Sequence, residues 1–260
     1  MNLLSFLLGG PQRTLYTFSS VMPDLAHTFP ELHALHAELS RHLDQNLPPD
    51  LACEKAVQAW QSGLVDLTLM FCDRAAGQMD LLKAIALNRQ GHPHAALEVL
   101  KGQEGALSLV HQGSSLWQLG ELEEALDLTQ QGLDQARKER NGTGIISAVC
   151  ILGEVLLDLG QHKQAVVTLA EAFKVAEMMG QEADPYALAI TAEAHTRWGH
   201  PRKAQATVEK VFSRTRPFEM AHVRAQISLG AIEPAALEQA RRVVEALGWG
   251  FWQKRLQSRA

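Results

Sequence analysis

His33 and His36 stand one helical turn apart, a spacing at which two imidazoles can share a metal ion. A metal centre needs at least a third ligand. Ala37 offers none, Glu38 is nearby and His42 lies further along. The two histidines flank the apolar stripe of Leu32, Leu35, Leu39 and Leu43 rather than facing a pocket. They read as surface histidines, and no metal or cofactor is expected. His92 and His94 beside Pro93, and His200 beside Pro201, read as turn residues between helices. The chain has no Gly-x-Ser-x-Gly elbow, no phosphate-cradling loop and no dinucleotide glycine fingerprint. No catalytic set of residues survives, so the chain is not expected to be an enzyme.

Two stretches could serve nucleic acid or membrane. A helix-turn-helix drawn over residues 35–57 would present Asp50 and Glu54 to phosphates, and its turn would hold Pro48 and Pro49. That charge is wrong for a duplex. The tail mixes Trp249, Phe251 and Trp252 with Lys254, Arg255 and Arg259. The basic run is too short for membrane anchoring, so residues 248–260 are expected to be a capping segment whose aromatics cover the last helices.

Bulk charge points the same way. Lys and Arg number 24 against 29 Asp and Glu, a net −5, which disfavours direct nucleic-acid binding. Three cysteines, Cys53, Cys72 and Cys150, are an odd number without metal-ligand spacing, which fits a reducing, cytoplasmic setting. Residues 1–10 carry an apolar run without a basic leader and are too short to cross a bilayer. A short packing segment and no membrane are expected.

The elements that would position any site are set by a recurring unit. Trp117-Gln118-Leu119-Gly120 runs into Ala125, Asn88-Arg89-Gln90-Gly91 into Ala96, Asp158-Leu159-Gly160 into Ala165, and Arg197-Trp198-Gly199 into Ala204. In each unit an apolar helix end meets a glycine, and an alanine follows five residues later. Seven residues before these glycines stand Ala84, Gly113, Gly153 and Ala192, all small. Small residues in the middles of successive helices let the helices approach closely. Expected pairs cover residues 79–90 with 93–101, 106–119 with 122–139, 144–159 with 163–179, and 185–198 with 201–214. A degenerate pair follows over 217–229 and 234–247, with Gly230 ahead of Ala235. Earlier, helices are expected from Pro30, from Leu51 to near Gly63, and over the apolar run 64–71. Residues 11–29 are only weakly periodic.

The pattern resembles the tetratricopeptide repeat family, most closely at Leu152-Gly153…Ala165. Spacings between the glycines of 29, 40 and 39 residues are similar to the longer-period repeats of bacterial regulatory proteins. Val149 and Leu156 stand where the family carries aromatics in its first helix. The resemblance implies an all-α chain, a right-handed α-solenoid of antiparallel helix pairs. Residues 1–76 would be an N-terminal helical region with a degenerate or capping repeat, and 77–247 the repeats proper. It also implies a concave groove lined by the first helix of each pair. The positions carried over are Asn88, Arg89, Ser114, Trp117, Gln118, Cys150, Glu154, Leu157, Asp158, Tyr186, Glu193, Thr196 and Arg197. Acidic Glu154, Asp158 and Glu193 suggest a ligand with a positive group, unless they pair within the chain as Glu193 can with Arg197. Val110 and Ser114 replace the Lys and Asn of a carboxylate clamp. The expected function is a protein–protein interaction module that binds a peptide or protein segment in the groove. A ligand- or peptide-sensing regulatory protein acting on a transcription factor or other partner is the alternative, and a structural homodimer is a third reading.

Overall fold

The computed structural model of the chain describes residues 29–257, apart from 44, 46 and 232. The packing segment expected in residues 1–10, most of the stretch 11–29 and Arg259 lie outside the described residues. Every regular element among the described residues is an α-helix. In chain order they are α1 Pro30–Leu43, α2 Pro49–Gln61, α3 Val65–Arg74, α4 Asp80–Gln90, α5 Pro93–Leu100, α6 Ala106–Leu119, α7 Leu122–Lys138, α8 Gly142–Asp158, α9 His162–Met178, α10 Pro185–Arg197, α11 Pro201–Phe212, α12 Met220–Leu229, α13 Pro234–Ala246 and α14 Gly250–Gln257. The apolar run 64–71 is thus the start of a helix. The helix expected from Pro217 starts only at Met220. The chain divides into two compact units, one of residues through Lys101 together with those from Arg242 on, the other Gly102–Arg241.

The second unit is built from helix pairs, α6 with α7, α8 with α9 and α10 with α11, each folded back by a short turn. Gly91, Gly120, Gly160 and Gly199 all take left-handed backbone, with φ between 74° and 87°. Only glycine enters that region without crowding a Cβ. The residue after each glycine then donates its N–H to the carbonyl of Leu87, Leu116, Leu156 or His195, at 2.8–3.0 Å. This 6→1 bond satisfies a carbonyl that the helix end leaves without a partner. Gly230 keeps right-handed helical backbone, so the last turn is of a different kind.

Packing follows from the small residues. Ala96, Ala125, Ala165 and Ala204 are fully buried, as are Ala84 and Ala192. The crossing of α6 on α7 is close, with a glycine on each helix set against the other helix. A Cβ on Gly132 would stand 2.8 Å from Val110 Cγ2 and 2.9 Å from the Ala106 carbonyl oxygen. A Cβ on Gly113 would run into Thr129 and lie 3.1 Å from the Ala125 carbonyl. Around this crossing Val110, Leu133, Val149, Leu152, Leu157 and Leu169 form a continuous apolar core.

In the first unit the C-terminal residues close on helices from early in the chain. The Trp249 indole N–H donates to the Gly63 carbonyl at 3.1 Å, and the Arg89 guanidinium lies 3.7 Å from the Trp60 ring and 5.3 Å from the Trp249 ring. Gly250 packs on the backbone of Gln90 so closely that a Cβ there would strike it. The tail therefore covers α4 and the turn before α3.

Two measurements test this packing. Gly132→Ala gains about 1 kcal/mol of helix propensity, yet it must push α6 off α7. It is expected to lower stability by about 1–3 kcal/mol, read as a lower urea midpoint; an unchanged or higher midpoint would contradict the close crossing. The second concerns His111 on α6, whose imidazole burial pushes down from 6.5 to about 4. Between those values the unfolded chain holds a proton that the folded chain lacks. Its contribution to stability is therefore complete above pH 6.5 and is lost as pH falls through this window. The full displacement corresponds to about 3 kcal/mol, less in so far as His111 keeps part of its surface in water. Burial lowers His36, His195 and His222 as well, which adds to the same trend. Urea midpoints should fall from pH 7 to 5.5 to 4, and His111→Gln should flatten that fall.

Candidate functional site

Most of the expected groove residues lie on the first helices of the pairs in the second unit, and the structure joins them into two rows. The first row stands two or three residues before each turn glycine. The Trp117 indole N–H on α6 donates to Asp158 Oδ2 on α8 at 2.7 Å. Arg197 on α10 lies 3.7 Å from Asp158 Oδ1 and donates to the Leu157 carbonyl at 3.1 Å. Three successive first helices are thus tied together through Asp158. Trp117 is buried, whereas Asp158 and Arg197 keep about a fifth and a quarter of their side chains in solvent. Gln118 is half-buried, and its Oε1 has no hydrogen-bond partner among the described residues. The same holds for His195 Nδ1. Trp198, next to Arg197, is 39% exposed and packs edge-on against His200 with ring centres 4.7 Å apart.

The second row is buried. Arg224 on α12 donates from Nε and Nη2 to the two oxygens of Glu154 on α8, at 2.7 and 2.9 Å. It also pairs with Glu193 on α10 and donates to Ser228 Oγ at 3.3 Å. Arg224 and Glu154 are both 0% exposed. Burial works against the Arg224 charge, but the two carboxylates outweigh it and hold the guanidinium well above its ordinary value. Burial and then the negative Glu154 push the Tyr186 phenol well above its ordinary range, so it stays protonated and donates to Glu154 Oε1 at 3.2 Å. Arg197 pairs with Glu193 as well, on the same helix. The positive group suggested by Glu154 and Glu193 is supplied here from within the chain, by Arg224 and Arg197.

Ser114 is buried beside these rows. Cys150 is buried too, its thiol pushed up by burial and then by Asp184 and Glu154. Thr196 bonds back to the Ala192 carbonyl at 3.1 Å. Asn88 and Arg89 belong to the first unit, Asn88 buried and Arg89 stacked between two tryptophans. The histidines of α1 do not form a site: His33 is exposed, and His36 Nδ1 lies 3.5 Å from Ser40 Oγ. No group of three or more metal-ligating side chains occurs among the described residues. Nor is any helix among them long and apolar enough to cross a membrane.

Residues 106–131 and 147–171 each match the family model described as tetratricopeptide repeat. The chain carries tetratricopeptide repeats. The matched stretches cover α6 with the first part of α7, and most of α8 with the first part of α9. No curated protein matches the chain. Tetratricopeptide repeats generally mediate protein–protein interaction, and proteins built from them are typically non-enzymatic scaffolds. In repeat terms, Glu154, Glu193 and Arg224 share one position, six residues before Gly160, Gly199 and Gly230. Arg224 escapes a reading of the sequence because its own unit is degenerate. The shared position was the signal that could have found it.

The buried row predicts a large asymmetry between single and paired substitutions. Arg224→Met leaves Glu154 buried without its cation and should cost about 3–5 kcal/mol. Adding Glu154→Met should recover a substantial part of that loss, since no unpaired charge then remains at that end of the row. Urea denaturation of the two single variants and the double variant measures the coupling. A cost below about 1 kcal/mol for Arg224→Met would show the pair to be solvated.

Proposed function

We propose that the second unit is a protein-interaction module that takes up a peptide or protein segment along the exposed row at the ends of α6, α8 and α10. The observation that carries this is an exposed indole, Trp198, next to Arg197, which keeps about a quarter of its side chain in solvent. Asp158, bonded to both Trp117 and Arg197, also keeps about a fifth of its side chain in solvent. Tryptophan and arginine are among the side chains enriched where protein contacts are strongest. Trp117 serves below the surface, holding Asp158 in place. Ser114, Glu154, Tyr186 and Glu193 support the row from beneath, since their polar groups are committed or buried. The three buried free cysteines fit a reducing compartment such as the cytoplasm.

The test is a phage-displayed library of random, unstructured 12-residue peptides selected on the full chain. Peptides made from the enriched clones should bind the wild type and lose at least tenfold in affinity on Trp198→Ala and on Gln118→Ala. Trp198 is exposed and Gln118 half-buried, so both variants should stay folded, with helicity and melting temperature measured alongside as the control. Equal binding to the wild type and both variants would remove the row as the binding site.

A further inference from the structure

A second surface lies on the other helices of the two matched repeats. Between α7 and α9 runs an open groove of about 600 Å³. Its floor is Leu133, Leu152 and Leu156, with Leu126 and Val167 on its walls. On α7 it extends from Glu123 to Arg137, fourteen residues, or about 21 Å at 1.5 Å per residue. Arg137 bridges it at one end with a two-pronged bond to Glu171 on α9, at 2.9 and 2.6 Å. Further apolar side chains stand exposed on α9 beyond the groove, with Glu171 and Lys174 between them. Four large apolar side chains are strongly exposed among the described residues, and three of them, Val167, Met178 and Met179, belong to α9 and its cap. Val167 and Met178 are three turns apart on the same outer face. They are 62% and 86% exposed.

We infer that this groove docks an amphipathic helix of a partner protein, one with an aliphatic ridge flanked by Lys or Arg. Three features select that occupant. Two side-by-side helices leave no open backbone edge for a strand, whereas the furrow between them accepts the side-chain ridge of a third helix. The leucine floor and Val167 require that ridge to be aliphatic. The charged residues lining the groove are Glu123, Asp127 and Glu171 against Arg137, a net −2, and the Arg137 guanidinium is already bonded to Glu171 and to Asp134. Carboxylates along the rim attract cationic flanks and repel anionic ones. A second copy of this chain is a poor occupant. A two-fold contact would set the same acidic rim against itself, on a chain whose net charge is already −5. The apolar residues 1–10 carry no Lys or Arg and lack the flanks the rim selects.

The experiment selects a phage-displayed library of randomised 18-residue helices on the full chain, and in parallel on Val167→Asp and on Glu123→Lys with Asp127→Lys. These side chains lie on the groove wall or rim, so both variants should keep the wild-type melting curve. The enriched wild-type clones should carry Leu, Ile or Met at helical spacing with Lys or Arg beside them. Their synthetic peptides should lose at least tenfold in affinity on each groove variant and nothing on Gln118→Ala, which separates this face from the row on the first helices. Absence of enrichment, enrichment of acidic helices, or equal binding to wild type and groove variants would overturn the inference. So would sedimentation showing a dimer that Val167→Asp dissociates, or a groove that captures helices only after residues 1–10 are removed.

Discussion

Close approach of paired helices is the constraint on which the rest of the second unit depends. Where Gly113 meets Ala125 and Thr129, and Gly132 meets Ala106 and Val110, the backbones of α6 and α7 come within van der Waals reach of any added carbon. A helix pair joined by a short turn can bury its apolar stripes only if its middle is thin. Once α6 and α7 are seated, Val110 and Leu133 meet Val149, Leu152 and Leu157 of the next pair, and the core becomes continuous across repeats. The rows of polar groups exist because each pair repeats that geometry at nearly the same register. Residues at equal distances from successive turn glycines then arrive side by side.

That register explains why charge can be buried here. Glu154, Glu193 and Arg224 occupy one repeat position on three helices, so the guanidinium meets two carboxylates without distorting any backbone. Desolvating these ions is costly, and their mutual attraction compensates only because the fork of the guanidinium matches both oxygens of Glu154. The outer row differs in that Asp158 and Arg197 stay partly in water. The same repeat grammar thus produces a sealed structural row and, four residues further along α8 and α10, a row that stays partly in water.

The two helices of each repeat carry different chemistry on their free faces. The ends of the first helices show polar atoms, guanidinium and indole. Between the second helices α7 and α9 lies a furrow with an acidic rim, floored by Leu133 and by Leu152 and Leu156 of α8, and α9 adds exposed thioethers, whose flexible side chains adapt to varied apolar surfaces. Neither face draws on the other's residues.

Much of the architecture was legible in the chain. The glycine-to-alanine spacing identified the turns, the small residues seven before each glycine identified the crossing points, and the expected helices match those observed to within a few residues. These features are local: a left-handed turn and a thin helix crossing depend on residues a few places apart. Trp117, Asp158 and Arg197 could be placed on one face from their repeat positions. What only the tertiary structure decided is which charges meet. Glu154 and Arg224 are 70 residues apart, and their contact depends on the rotation between successive pairs, which no local pattern encodes. The same holds for Trp249, whose indole bonds to a carbonyl 186 residues away in the chain. Periodicity names the face on which a side chain stands, and packing alone decides whether that face is sealed by another helix or left open to a partner.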